Sequence, residues 1–245
     1  MLEFIVSKSP ADVPTIRSNY DGTTLTTQIP PQELKRLIAG GGLVLLKGAF
    51  PTELLRNILE KVFAWGQECG SQRESEVSFH RIDNRPPQSQ TSHAFHAYNF
   101  QLRREAISAE MDKLIRPIFT AMGNLQNAIA GTQASYEPDA AGQFFHPQII
   151  QYPSGGGFFD EHVHPLEPQR VGLILGLSEK GLDFKEGGTC FRVKEGNHSF
   201  EDSHAMGDII LFRYDLPHWI TPIDHDEPLD WCRQAGRWTM VLPYY

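Results

Sequence analysis

From residue 143 onward the chain breaks into short β-rich runs: FFHPQIIQY, GGFFDEHVH, RVGLILGL, GGTCFRV, GDIILFR, HWITPI and GRWTMVLPYY, punctuated by Gly, Pro, Asn and Asp. β-branched and aromatic residues suit a pleated, half-buried surface, and turn clusters at short intervals separate one strand from the next. So many short strands in succession predict a double-sheet jelly roll or small barrel. The fold class expected is α+β, mainly β, with helices buttressing one sheet.

Those helices come first. A short helix is predicted over 31–38, and the apolar run LVLLK at 43–47 reads as a strand. Pro51 then sits where a first helical residue would, and Leu54, Leu55, Ile58, Leu59, Val62 and Phe63 recur at helical spacing. A second apolar stripe, Ile107, Met111, Leu114, Ile115 and Ile118, predicts a helix over 105–122 that Pro117 should kink near its end. Between these helices the segment 67–99 is polar, rich in Arg, Ser, Gln and Pro, and without a clear period, so it is expected to be a long loop or lid. The whole, 1–245, reads as one domain: a helical N-terminal part with the lid over 1–142 and a jelly-roll core over 143–245.

With 22 basic against 30 acidic residues and a formal charge of −8, the chain lacks the electrostatic footprint of a nucleic-acid binder. Its start lacks the basic and apolar regions of a secretory signal, and it holds no apolar run long enough to span a bilayer, so a cytoplasmic protein is expected. Its three cysteines, Cys69, Cys190 and Cys232, are scattered and odd in number, which speaks against a disulfide framework or a zinc knuckle.

The chemistry concentrates in FDEHVHP at 159–165. Residues two apart on a strand share a face, so Asp160, His162 and His164 are expected on one side, and Glu161 and Val163 on the other. Two imidazoles on one face of a stiff strand are preorganised for a metal. Later, His218 opens the run HWITPI, and Arg237 and Thr239 share a face of the last run. An arginine aimed into an apolar barrel needs an anionic partner, and a carboxylate fits the guanidinium fork best.

In this order the residues resemble the core of the Fe(II)- and 2-oxoglutarate-dependent dioxygenases. The resemblance runs from the Tyr152 strand through glycines into HVH, then RVGLILGL, FKEGGT at 184–189, GDIILF, LPHWITPI and a terminal Arg-x-Thr. The N-terminal part is similar only in style. The resemblance implies Fe(II) bound by His162 and His218, and 2-oxoglutarate held at its far carboxylate by Arg237 and Thr239. It implies oxidation of a substrate C–H bond, hydroxylation by default, by O2 with decarboxylation of 2-oxoglutarate to succinate. Tyr152 and Gln148, on one face of the preceding strand, are candidates to contact the cosubstrate or the substrate. In the polar segment Arg81, Arg85 and His93 are candidate substrate contacts and favour a small polar or anionic metabolite; Trp219, beside His218, reads as pocket wall.

The chain departs from the family where His164 stands in place of the usual Asp or Glu ligand. Three readings remain open: a three-histidine site completed by His164, a site completed by Asp160, or a position left to water or halide as in related halogenases. HVH also resembles the metal pair of cupins, with Gly156 before His162 and Gly207 before His218 at cupin-like intervals. A cupin-type three-histidine enzyme would not use 2-oxoglutarate, and a catalytically silent metal- or ligand-binding module would use neither substrate.

Overall fold

The computed structural model describes residues 13–69, 82–84, 92–99, 108–194, 196–230 and 232–245. Thirteen strands and three helices appear among the described residues, in the order β1 (Thr15–Tyr20), β2 (Leu25–Thr27), α1 (Pro31–Ala39), β3 (Leu43–Lys47), α2 (Thr52–Cys69), β4 (Ile82–Asn84), β5 (Ser92–Asn99), α3 (Ala109–Ala130), then β6 (Gln148–Pro153), β7 (Gly157–His162), β8 (Val171–Gly176), β9 (Gly188–Val193), β10 (Gly196–Ser199), β11 (Ile209–Arg213), β12 (His218–Ile223) and β13 (Gly236–Val241).

The strands run in the order β10-β9-β12-β7-β5-β6-β13-β8-β11-β3-β1-β2, with β4 beside β5. β5 pairs with β6 on one side and with β7 on the other, so one strand joins the smaller sheet to the larger. The result is the jelly roll expected from the sequence. Nearly all neighbours are antiparallel; β1 and β3 form a parallel pair.

The helices cover the outer face of the larger sheet. Leu34 and Ile38 of α1, Leu55, Ile58 and Val62 of α2, and Ile115, Ile118 and Met122 of α3 form one cluster with Val44 and Leu46 of β3, Leu175 of β8, Leu211 of β11 and Trp238 and Met240 of β13. Strand alternation gives those strands a second, inner face, where Ile174, Ile210 and Phe212 pack with Phe191 of β9 inside the roll. Arg56 of α2 forms a two-armed ion pair with Asp183 at 2.5 and 2.8 Å, tying the helical layer to the loop between β8 and β9.

Two expectations are corrected. The segment 67–99 is not wholly a loop: α2 extends to Cys69, and Ser92–Asn99 is a strand inserted between β6 and β7. What makes it a strand is backbone pairing with two partners remote in sequence, which no local period announces. The second long helix starts later and ends later than its apolar stripe indicated. Ser108 caps it by accepting a hydrogen bond from the Met111 N–H at 3.1 Å; the helix then continues past Pro117 to a left-handed Gly131 at φ 73°. No helix among the described residues is long and apolar enough to cross a membrane.

Candidate metal centre and cosubstrate pocket

β7 and β12 are antiparallel neighbours, and the pairing sets His162 directly opposite His218. His164 follows two residues after the end of β7. The possible ligand atoms of these three imidazoles all lie within 4.8 Å of one another. The ring centroids of His162 and His218 are 4.2 Å apart, and those of His162 and His164 4.9 Å. Two rings are oriented by their own backbone: His162 Nδ1 lies 2.9 Å from the Asp160 carbonyl, and His218 Nδ1 2.9 Å from the Leu216 carbonyl. Donation from Nδ1 leaves Nε2 of each ring as a free acceptor for a cation. His164 is held differently, stacked on the Tyr214 ring at 4.4 Å with 7° between the planes.

Burial lowers the pKa of all three rings. His164 is pushed down to about 4 and His218 to about 3, burial being the larger cause and the neighbouring imidazoles the next. His162 is lowered for the same first reason. Neutral imidazole is the form that ligates a metal.

Asp160 lies elsewhere. From His218 to Ile220, β12 advances two residues while β7 retreats three, from His162 to Phe159. The extra residue is a β-bulge, and it breaks the alternation on which the sequence reading relied. Phe159 shares the inner face with His162, ring to ring at 4.3 Å. Asp160 and Glu161 are exposed and line a groove on the outer surface of the sheet, where Glu161 pairs with Arg192 at 2.5 Å.

The three histidines open onto a cavity of about 240 Å³. Its walls include Gln148, Ile150 and Tyr152 of β6, Arg237, Thr239 and Val241 of β13, Trp219 and Ile220 of β12, and Tyr245. The register of β13 against β6 sets Arg237 opposite Tyr152 and Thr239 opposite Ile150, which explains why these residues face one space. Burial raises the Tyr152 phenol to about 12, so it stays a hydrogen-bond donor. Arg237 Nη1 is buried without a hydrogen-bond partner. A buried orphan donor of this kind is costly unless a ligand satisfies it, and a carboxylate is the acceptor that suits it.

The structure thus brings His162, His164, His218, Arg237, Thr239, Tyr152, Gln148 and Trp219 around one cavity. Trp219 is half-buried and also reaches the outer groove. Arg81 and Arg85 lie outside the described residues; His93 is on β5, opposite Phe158. Sequence reasoning did not single out Glu201. It is buried and donates no obvious motif, yet its carboxylate oxygen accepts from Arg237 Nε at 2.5 Å. Its signal was only the expectation that Arg237 must find an anion.

No protein-family model matches the chain, and no curated protein matches it. Solved structures do. A prolyl-4-hydroxylase from Pseudomonas putida superposes with a TM-score of 0.57 at 16% identity, covering 87% of this chain and 97% of that one. An oxidoreductase of the 2OG-Fe(II) oxygenase family from Burkholderia pseudomallei gives 0.52 at 12% identity, covering 95% of each chain. The epimerase SnoN, in complex with Fe3+, alpha ketoglutarate and nogalamycin RO, gives 0.52 at 9% identity over 87% of this chain and 82% of that one. Over nearly its whole length, this chain has the jelly-roll fold of those oxygenases.

Proposed function

We propose that the protein is a non-haem Fe(II)- and 2-oxoglutarate-dependent oxygenase with a three-histidine centre. The observation that carries this reading is one cavity lined both by three neutral imidazoles within reach of a single ion and by a buried guanidinium with an unpartnered Nη1. His162, His164 and His218 would hold the metal; Arg237 Nη1, Thr239 and Tyr152 would receive the far carboxylate of the cosubstrate. Bound there, Fe(II) and 2-oxoglutarate supply O2 activation, with oxidation of a C–H bond coupled to formation of succinate and CO2. The residues of the chain position and exclude. The backbone-anchored rings of His162 and His218 fix two ligand directions. Phe159, Ile150, Ile174 and Val241 keep water from the reacting face. Because these described walls are aliphatic and aromatic, the reacting carbon enters on an apolar face of a small substrate. Gln148 in the cavity wall, with Arg81, Arg85 and His93 in the polar segment, are the candidates for polar recognition.

An anaerobic Fe(II) titration followed by 2-oxoglutarate, read by the metal-to-ligand absorbance band and then by succinate release on admitting O2, tests this. A band and O2-dependent succinate are expected. Metal binding with neither band nor succinate would refute it. One observation favours a second reading, a cupin-type three-histidine enzyme that needs no 2-oxoglutarate: Arg237 already has an anionic partner inside the protein. That reading predicts oxidation at equal rate with and without 2-oxoglutarate.

A further inference from the structure

Arg237 reaches the cavity with its counter-ion in place. The side chains of Arg237 and Glu201 are 2% and 3% exposed, and Nε donates to Glu201 Oε1 at 2.5 Å. The same oxygen accepts from the Thr189 N–H at 2.6 Å. Arg237 Nη2 lies 3.4 Å from Nδ1 of His204, whose Nε2 is 3.0 Å from the Asp208 carbonyl. Donation from Nε2 to that carbonyl leaves Nδ1 as an acceptor for the guanidinium. Glu201 and His204 approach from behind: they line a separate cavity of about 350 Å³ with Lys47, Lys180 and Ser203, while Arg237 and Thr239 line the cavity of the histidines. Toward the ligand, the anchor therefore shows one free guanidinium nitrogen belonging to a pair of zero net charge.

Resting on the oxygenase reading, we propose that Glu201 is a specificity-determining residue for the cosubstrate. An unpaired arginine rewards a negative far end over a neutral one, because attraction in a low-dielectric pocket is strong. Glu201 offsets that reward, since an incoming carboxylate meets the repulsion of Glu201 together with the attraction of Arg237. What survives is the hydrogen bond from Nη1, which any well-placed acceptor can take. The far end of the site is a neutral hydrogen-bond donor, and it accepts 2-oxo acids with an uncharged acceptor there on nearly equal terms with 2-oxoglutarate.

The test uses the Fe(II)-loaded protein under anaerobic conditions. Binding of 2-oxoglutarate and of 2,5-dioxohexanoate, in which a methyl ketone replaces the far carboxylate at the same size, is measured by calorimetry for wild type and Glu201→Gln. Glutamine keeps the shape and an acceptor for Arg237 Nε but removes the charge. Wild type should bind the two acids within about threefold of each other, and Glu201→Gln should prefer 2-oxoglutarate by about tenfold or more. A wild-type preference of about tenfold or more for 2-oxoglutarate would overturn the inference while leaving the oxygenase reading intact, even where the variant does not fold. An unchanged ratio in folded Glu201→Gln overturns it equally. If wild type binds neither acid, the oxygenase reading falls and takes this inference with it.

Discussion

Breaking the Arg237–Glu201 pair from its two ends should give two different pH responses. Glu201→Leu leaves a guanidinium buried at 2% exposure without its counter-ion, and also strips an acceptor from the Thr189 N–H. Removing one partner of a buried pair costs about 3–5 kcal/mol. A guanidinium cannot escape by losing its proton near neutrality, so the cost should be flat from about pH 5 to pH 8. Arg237→Met leaves a carboxylate instead, and a carboxylate can escape by taking a proton, either on itself or on the adjacent His204. The sign follows: the folded variant holds an acid whose pKa is raised above its unfolded value of about 4.3, so stability is present at low pH and lost as pH rises, by up to about 1.4 kcal/mol per pH unit. Proton uptake by His204 gives the same sign, because it relieves the penalty that wild type suffers for keeping that ring neutral. Arg237→Met should therefore lose about 2–3 kcal/mol more at about pH 7 than at about pH 5, relative to wild type. The double variant Glu201→Leu/Arg237→Met removes both charges and should be more stable than Glu201→Leu alone. Urea unfolding of the four proteins across this pH range measures all of it. Parallel pH profiles for the two single variants, or a double variant no better than Glu201→Leu, would refute the pair as drawn.

Three further outcomes are expected. His164→Ala should weaken Fe(II) binding by about a hundredfold or more in competition with a chelator, and Asp160→Ala should leave it unchanged; the reverse would place the carboxylate in the metal sphere. Gly188→Ala should loosen the anchor, because Gly188 sits at φ 139° and a Cβ there would overlap Cγ of Glu201 first, then Cδ and Oε1 of its carboxylate; the measurable sign is a loss of stability of about 1–3 kcal/mol that Glu201→Gln, with the same chain length, does not relieve. Wild type should lose stability as pH falls from about 6.5 toward about 4, because burial holds His204 down at about 4 while the unfolded ring takes its proton at about 6.5. His204→Gln should have a shallower profile over that window, and equal slopes would exclude His204 as a contributor.

The strands from residue 143 onward were legible because each carries its own turn signals and β-rich composition, as in RVGLILGL and GDIILFR. β5 was not, since SHAFHAYN owes its conformation to β6 and β7, which lie far away in the sequence. β10 was missed for a simpler reason: GNHS is four residues long and polar, and it sits at the end of the strand order, paired with β9. The three histidines and Arg237 were legible as chemistry, because neither metal-ligand spacing nor a charge in an apolar strand is commonplace. The choice between His164 and Asp160 was not. It depends on a one-residue register shift across two strands, and alternation within a single strand cannot reveal that. Glu201 was invisible for a related reason, since a lone acid in a loop shows nothing until the fold brings it against its arginine.

The bulge in β7 has a further effect on how this site can change. In a regular strand the two faces are yoked together, because adding or deleting a residue carries every later side chain to the opposite side. At Asp160 and Glu161 that yoke is broken: the inner face passes directly from Phe159 to His162, while the outer face receives two acids in a row. One of those acids could be deleted and the pairing from His218 to Ile220 would become regular, with Phe159 and His162 then two places apart and still facing inward. The length of the chain at this point is thus a free variable for the outer groove and a silent one for the three histidines.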